Sequence, residues 1–155
     1  MNYNTALVQL PLVREAGKQK ITTPAEVYRA CQDIAELAQE CFQIVSLDAK
    51  HKLINRHLVS LGIADASIVH PREVFRPAIC DGAMAIALAH NHPSGDTSPS
   101  AEDLRITRQL IEAGKIVDIK VLDHVIIGRP VEPVGDSPGR LGYLSLRESG
   151  LCAFA

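Results

Sequence analysis

Short apolar runs along this chain are separated by polar breaks, and those breaks carry the turn and helix-start signals. Ala6 to Val13 is a brief apolar alternation followed by polar Arg14 to Lys20, which predicts a strand and a connector. Thr23-Pro24-Ala25-Glu26 is a helix start: threonine can cap, proline suits the first helical position and glutamate closes a capping box. Val27, Cys31, Ile34 and Ala38, with Ala30 and Leu37 beside them, recur at helical spacing, so one core-covering helix is expected over 24–40. Cys41 to Leu47 is apolar and partly β-branched, Asp48-Ala49-Lys50-His51 is a turn, and Lys52 to Gly62 is a second strand, together a hairpin.

Ile63 to Val69 predicts a short strand, and His70-Pro71-Arg72-Glu73 opens a second helix over about 71–82. Ala83 to Ala89 contains no polar residue. A strand apolar on both sides is covered on both sides, so this one is expected at the centre of a sheet flanked by helices. Helix is the competing reading of so alanine-rich a run; the helix start behind it and the Pro/Gly loop ahead favour strand. A third helix is expected from Ser100 or Ala101 to Ala113, stopped by Gly114. Ile116 to Leu122 and His124 to Gly128 read as two short strands interrupted at Asp123-His124. A proline- and glycine-rich excursion and a short strand from Tyr143 to Arg147 complete an α/β pattern.

The length of 155 residues suits one domain: a connector over 1–23, a core over 24–128, and a C-terminal loop with a short strand over 129–155. The hydrophobic fraction of 46% and charged fraction of 22% are those of an ordinary globular chain. A net charge of -2 argues against a nonspecific DNA binder, which needs a basic face; a nucleic-acid partner is unsupported by charge. Cys31, Cys41 and Cys80 lie in apolar segments and are expected to be buried free thiols. No signal pattern or membrane-length apolar run is present, so a cytoplasmic protein without a membrane partner is expected.

The chemistry concentrates in His90-Asn91-His92-Pro93-Ser94-Gly95-Asp96-Thr97-Ser98-Pro99-Ser100-Ala101-Glu102-Asp103. At the end of a strand, His90 and His92 point to the same side, with Cα atoms about 6.5 Å apart from a rise of about 3.3 Å per residue. Two imidazoles so placed can converge on one ion. Asp103 is the best third ligand, because the loop returns the chain and a helix start aims its first turn back at the strand end. Two histidines and one aspartate leave a fourth position open, as catalytic zinc sites do. The plain alternative is a polar loop followed by Ser100 and Asp103 as an ordinary capping box; both readings can hold together. Taken alone, Glu73 reads as a solvated acid in a helix's first turn. His51 and His57 have no partner at ligand spacing and read as surface histidines.

In combination, Glu73, His90-x-His92, Ser100 and Asp103 resemble the JAMM signature of JAB/MPN metalloprotease-like domains. More closely, residues 24–150 resemble the RadC family. The matching strings are His70-Pro71-Arg72-Glu73-Val74-Phe75, Ala89-His90-Asn91-His92-Pro93-Ser94-Gly95 and Leu122-Asp123-His124-Val125-Ile126-Ile127-Gly128. The hairpin around Leu47-Asp48-Ala49-Lys50 and the tail Tyr143 to Glu148 are also similar.

The resemblance implies a mixed sheet with helices on both faces, similar to the cytidine deaminases, and a hydrolase site with one zinc per chain. His90, His92 and Asp103 would be the metal ligands. Glu73 would hold and deprotonate the attacking water, and Ser100 would donate to the oxyanion. The implied substrate is a peptide or isopeptide bond in an unknown protein. Family members usually carry an N-terminal helix-hairpin-helix region, which residues 1–23 are too short to hold, so a short form is expected. Asp123 and His124 would either support the metal ligands or bond neighbouring strands. Two other readings remain beside the hydrolase: a noncatalytic scaffold or accessory module, and the DNA-repair association that the family name suggests.

Overall fold

The helix-start signals are made as expected in the structure, a computed structural model that describes residues 19–62, 69–133, 135, 139 and 141–154. Helix α1 spans Pro24–Cys31. Thr23 Oγ1 accepts the Glu26 N–H at 3.3 Å, and the Glu26 carboxylate accepts the Thr23 N–H at 2.9 Å. The helix is shorter than expected. It tightens into a 3-10 segment, Gln32–Glu36, and Leu37 is already extended. Residues 37–40 then form a lead into strand β1 (Cys41–Leu47), because Asn91 takes the carbonyls that a helix would have used.

The hairpin forms, with β1 antiparallel to β2 (Leu53–Leu61). Helix α2 spans Pro71–Cys80 and leads to β3 (Ala85–Asn91). Helix α3 spans Ala101–Val117 and leads to β4 (Lys120–Ile127), and β5 is Tyr143–Ser145. The five strands form one mixed sheet in the order β2-β1-β3-β4-β5. β3 lies antiparallel to β1, with Phe42 opposite His90, and parallel to β4.

β3 is central and buried along its whole length, which is why Ala83 to Ala89 has no polar position. Ile86 and Leu88 face α2 and α3, packing with Val74, Phe75, Ile106 and Leu110. Ala85, Ala87 and Ala89 face α1, and their small side chains let Val27, Tyr28, Cys31 and Ile34 come close. Helices therefore cover both faces of the sheet, as expected.

Three further sequence expectations are revised. Gly114 does not stop α3, which runs on to Val117 and ends at Asp118 with φ 57°. A Cβ at Gly114 would sit 2.6 Å from the Ile119 carbonyl oxygen, so this glycine serves close packing inside the helix. The two strands expected around Asp123-His124 are one, β4, whose register shifts between Ile86 and Ala87 of the neighbouring β3. Cys80 is exposed, because it ends α2 on the solvent side; Cys31 and Cys41 are buried and free as expected. The strands expected at Ala6 to Val13 and at Ile63 to Val69 lie outside the described residues, apart from Val69. Among the described residues, no helix is long and apolar enough to cross a membrane.

Candidate metal centre

The alternation of β3 sends His90 to the α2–α3 side of the sheet and Asn91 to the other side. His90 is 1% exposed and lies next to the end of the strand beside Phe42, whose ring stacks on it at 6.0 Å. His92 lies just past the strand. Its Nδ1 is 2.7 Å from the Asp96 carbonyl oxygen. A carbonyl can only accept, so His92 Nδ1 carries the hydrogen and Nε2 presents a lone pair.

The loop 93–99 then delivers the start of α3. Ser100 caps it: its Oγ accepts the Asp103 N–H at 3.0 Å, and Asp103 Oδ2 accepts the Ser100 N–H at 2.8 Å. The capping box orients the Asp103 carboxylate toward the end of β3. Asp103 Oδ1 is 3.4 Å from His90 Nε2, and Oδ2 is 3.3 Å from His92 Nε2. The two Nε2 atoms are 2.9 Å apart. The capping reading of Ser100 and Asp103 and the ligand reading of Asp103 are thus compatible in one geometry.

A fourth group joins them. Glu40, on the lead into β1, offers a carboxylate oxygen to the same place, and the donor atoms of Glu40, His90, His92 and Asp103 all lie within 4.8 Å of one another. Antiparallel pairing explains this meeting: with Phe42 opposite His90, the start of β1 lies against the end of β3. Asn91 fixes the lead from behind. Its Oδ1 accepts the Cys41 N–H at 2.7 Å and its Nδ2 donates to the Gln39 carbonyl at 3.1 Å, bracketing Glu40. The Gly62 N–H adds a bond to the Glu40 carbonyl at 2.9 Å.

Glu73 is not part of this cluster. Its carboxylate pairs with Arg76 at 2.8 Å and Arg72 at 3.5 Å in the exposed first turn of α2. That matches the plain reading of a helix-start acid. The role expected of Glu73 follows from the resemblance of the string His70 to Phe75. Glu40 carries little sequence signal, being a lone acid at the mouth of an apolar strand. The pairing of β1 with β3 is what gives it a place.

The electrostatics suit a cation. Burial opposes ionisation of Asp103, but the adjacent His90 and His92 imidazoles and the Ser100 N–H outweigh it and hold the carboxyl well below its usual range. The Asp103 carboxylate raises the His92 imidazole against the effect of burial, with the Asp96 carbonyl adding to it. Burial raises the Glu40 carboxyl, more than the neighbouring histidines lower it. Donors at 2.0–2.1 Å from a tetrahedral ion sit about 3.3–3.4 Å apart, which the His–Asp separations match and the His–His separation approaches. Two imidazoles and a carboxylate are also the donor types that zinc takes. The residues present fit a divalent ion.

Behind this cluster, His90 Nδ1 is 2.7 Å from His124 Nε2, and His124 Nδ1 is 2.6 Å from Thr107 Oγ1. Asp123 faces away from this chain and bonds strands: its carboxylate accepts from Ser145 Oγ at 2.6 Å and from the His124 N–H at 2.7 Å. Of the two roles open to Asp123 and His124, Asp123 makes the bond between strands, and His124 stands against His90. His57 is half-buried, 2.6 Å from Asp81, and not a free surface histidine.

Comparison with known proteins gives one family, the RadC-like JAB domain, matching residues 21–151. A UPF0758 protein of Methanosarcina mazei is 42% identical over 137 residues, covering 88% of this chain and 55% of its own length. One from Caldanaerobacter subterraneus subsp. tengcongensis is 43% identical over 147 residues, covering 94% and 58%. Another, from Symbiobacterium thermophilum, is 48% identical over 118 residues, covering 76% and 46%. The chain spans about half the length of these relatives.

Proposed function

The chain belongs to the RadC-like JAB domain family, and from that premise we propose that it is a zinc-dependent hydrolase that cleaves a peptide or isopeptide bond. The observation that carries this reading is the convergence of Glu40, His90, His92 and Asp103 on one point. His90, His92 and Asp103 would hold the ion. When bound, zinc supplies Lewis acidity, lowering the pKa of water and polarising a carbonyl.

The protein's own groups divide the rest. Glu40 has the place of the general base, and burial makes it a stronger base than an exposed carboxylate. It takes the proton from water as the water oxygen attacks the carbonyl carbon, then returns it to the leaving nitrogen as the C–N bond breaks. The products are a carboxylic acid and an amine. Ser100 stands at the edge of the site. Its bond to the Asp103 N–H uses an oxygen lone pair, so the hydroxyl proton is left to donate to the developing oxyanion. Glu73 is not assigned a step, since Arg76 and Arg72 hold its carboxylate.

The test is hydrolysis of a peptide and isopeptide panel by zinc-loaded protein, with Glu40→Gln as the comparison. Glu40→Gln is expected to keep its zinc and lose turnover by a factor of at least about 100, the lower end of general-base contributions. A wild-type protein that carries zinc at this site and cleaves nothing in the panel argues against catalysis and for a scaffold.

A further inference from the structure

Thr107 lies one turn beyond Asp103 on α3 and is fully buried. Its hydroxyl oxygen is 2.6 Å from the Asp103 backbone carbonyl and 2.6 Å from His124 Nδ1. The carbonyl has no hydrogen to give, so the single hydroxyl hydrogen points to it. Thr107 then meets His124 as an acceptor, and the hydrogen between them belongs to His124 Nδ1. The His124 ring is completely buried, with hydrogen bonds to a hydroxyl and an imidazole rather than to a carboxylate. As a neutral ring it carries one N–H, which leaves Nε2 as an acceptor. That acceptor is 2.7 Å from His90 Nδ1, which must donate. His90 is left with its lone pair on Nε2, the atom that faces His92 and Asp103.

We propose that Thr107, acting through His124, is a positioning residue that sets the ring tautomer of His90 so that Nε2 is its metal-binding atom. The inference rests on the reading of His90, His92 and Asp103 as a metal site. Each link has one direction only, because the chain starts at a group that can only accept. The same helix turn therefore supplies one ligand, Asp103, and determines the proton position on another. Phe42 packs edge-on to His124 at 5.3 Å and stacks on His90, which keeps both ring planes in register.

The test uses wild type, Thr107→Val, which keeps the shape and removes the hydroxyl, and Thr107→Ser, which restores it. In metal-free protein, nitrogen-15 NMR of the imidazoles reads each tautomer; zinc affinity is then measured by competition with a chromophoric chelator. Wild type and Thr107→Ser are expected to carry Nδ1–H on both His90 and His124. Thr107→Val is expected to lose the single tautomer and to bind zinc about 10- to 100-fold more weakly. Thr107→Ala serves if the valine variant does not fold. Nε2–H on His90 in wild type, or a hydroxyl-free variant binding zinc as tightly as wild type, overturns the proposal. A wild type with the expected tautomers that binds no zinc instead overturns the metal-site reading, and the positioning role with it.

Discussion

Asn91 accepts the Cys41 N–H at 2.7 Å, so the last residue of the ligand strand is fastened to the first residue of the strand that Glu40 precedes. Asn91 faces away from the Glu40, His90, His92 and Asp103 cluster and touches none of its donor atoms. What it holds is the peptide on either side of Glu40. Replacement by alanine leaves the buried Cys41 N–H without its partner, which is expected to lower stability by about 1–3 kcal/mol. Turnover should fall with zinc affinity nearly unchanged, because His90, His92 and Asp103 are untouched. Urea unfolding and zinc titration of Asn91→Ala check both halves. Unchanged turnover would separate Asn91 from Glu40.

Glu73→Gln is expected to be close to neutral. The side chain is partly exposed and, among the described residues, pairs with Arg72 and Arg76. Exposed pairs of this kind contribute about 0.2–1 kcal/mol. Turnover and zinc content should match wild type, in contrast to Glu40→Gln. A loss of turnover in Glu73→Gln equal to that in Glu40→Gln would contradict the assignment of the base.

Zinc binding should weaken as pH falls, because protons compete with the ion for both imidazoles. The Asp103 carboxylate raises His92 above the ordinary imidazole value of 6.5, so in the metal-free protein the proton competes at a higher pH than usual. The apparent zinc affinity is therefore expected to be flat at high pH and to begin falling above 6.5 as acid is added. Competition titrations across pH 5 to 8 measure this; a flat profile throughout that range would rule out imidazole ligands.

Gly114→Ala gives a prediction opposite in sign to helix propensity, which alone favours alanine by about 1 kcal/mol. The added Cβ would meet the Ile119 carbonyl oxygen at 2.6 Å, a backbone atom that cannot swing aside. A net loss of about 1–3 kcal/mol is expected, as for other overpacked positions. A higher urea midpoint for Gly114→Ala would contradict the packing role.

The sequence was most informative where signals are local. The Thr23 cap, the 41–62 hairpin, the buried strand and the Ser100–Asp103 capping box all depend on residues a few positions apart, and each formed. His90, His92 and Asp103 converge because a strand end, a short loop and a helix start are consecutive. What was not legible depends on pairing across the chain. Glu40 is fifty positions before His90, and only the antiparallel register of β1 and β3 brings them together. Gly114 looked like a helix stop because nothing local revealed the Ile119 carbonyl packed against it. Cys80 lies in an apolar stretch, yet it is on the solvent side of the end of α2.

The most direct test of the central claim is a crystal structure of the zinc-loaded protein with anomalous scattering recorded at the zinc edge. One peak is expected, bonded to His90 Nε2, His92 Nε2 and Asp103, with the Glu40 carboxylate facing it and Glu73 still paired with Arg76. The absence of a peak there, or a Glu73 carboxylate standing at the ion in place of Glu40, would contradict the claim.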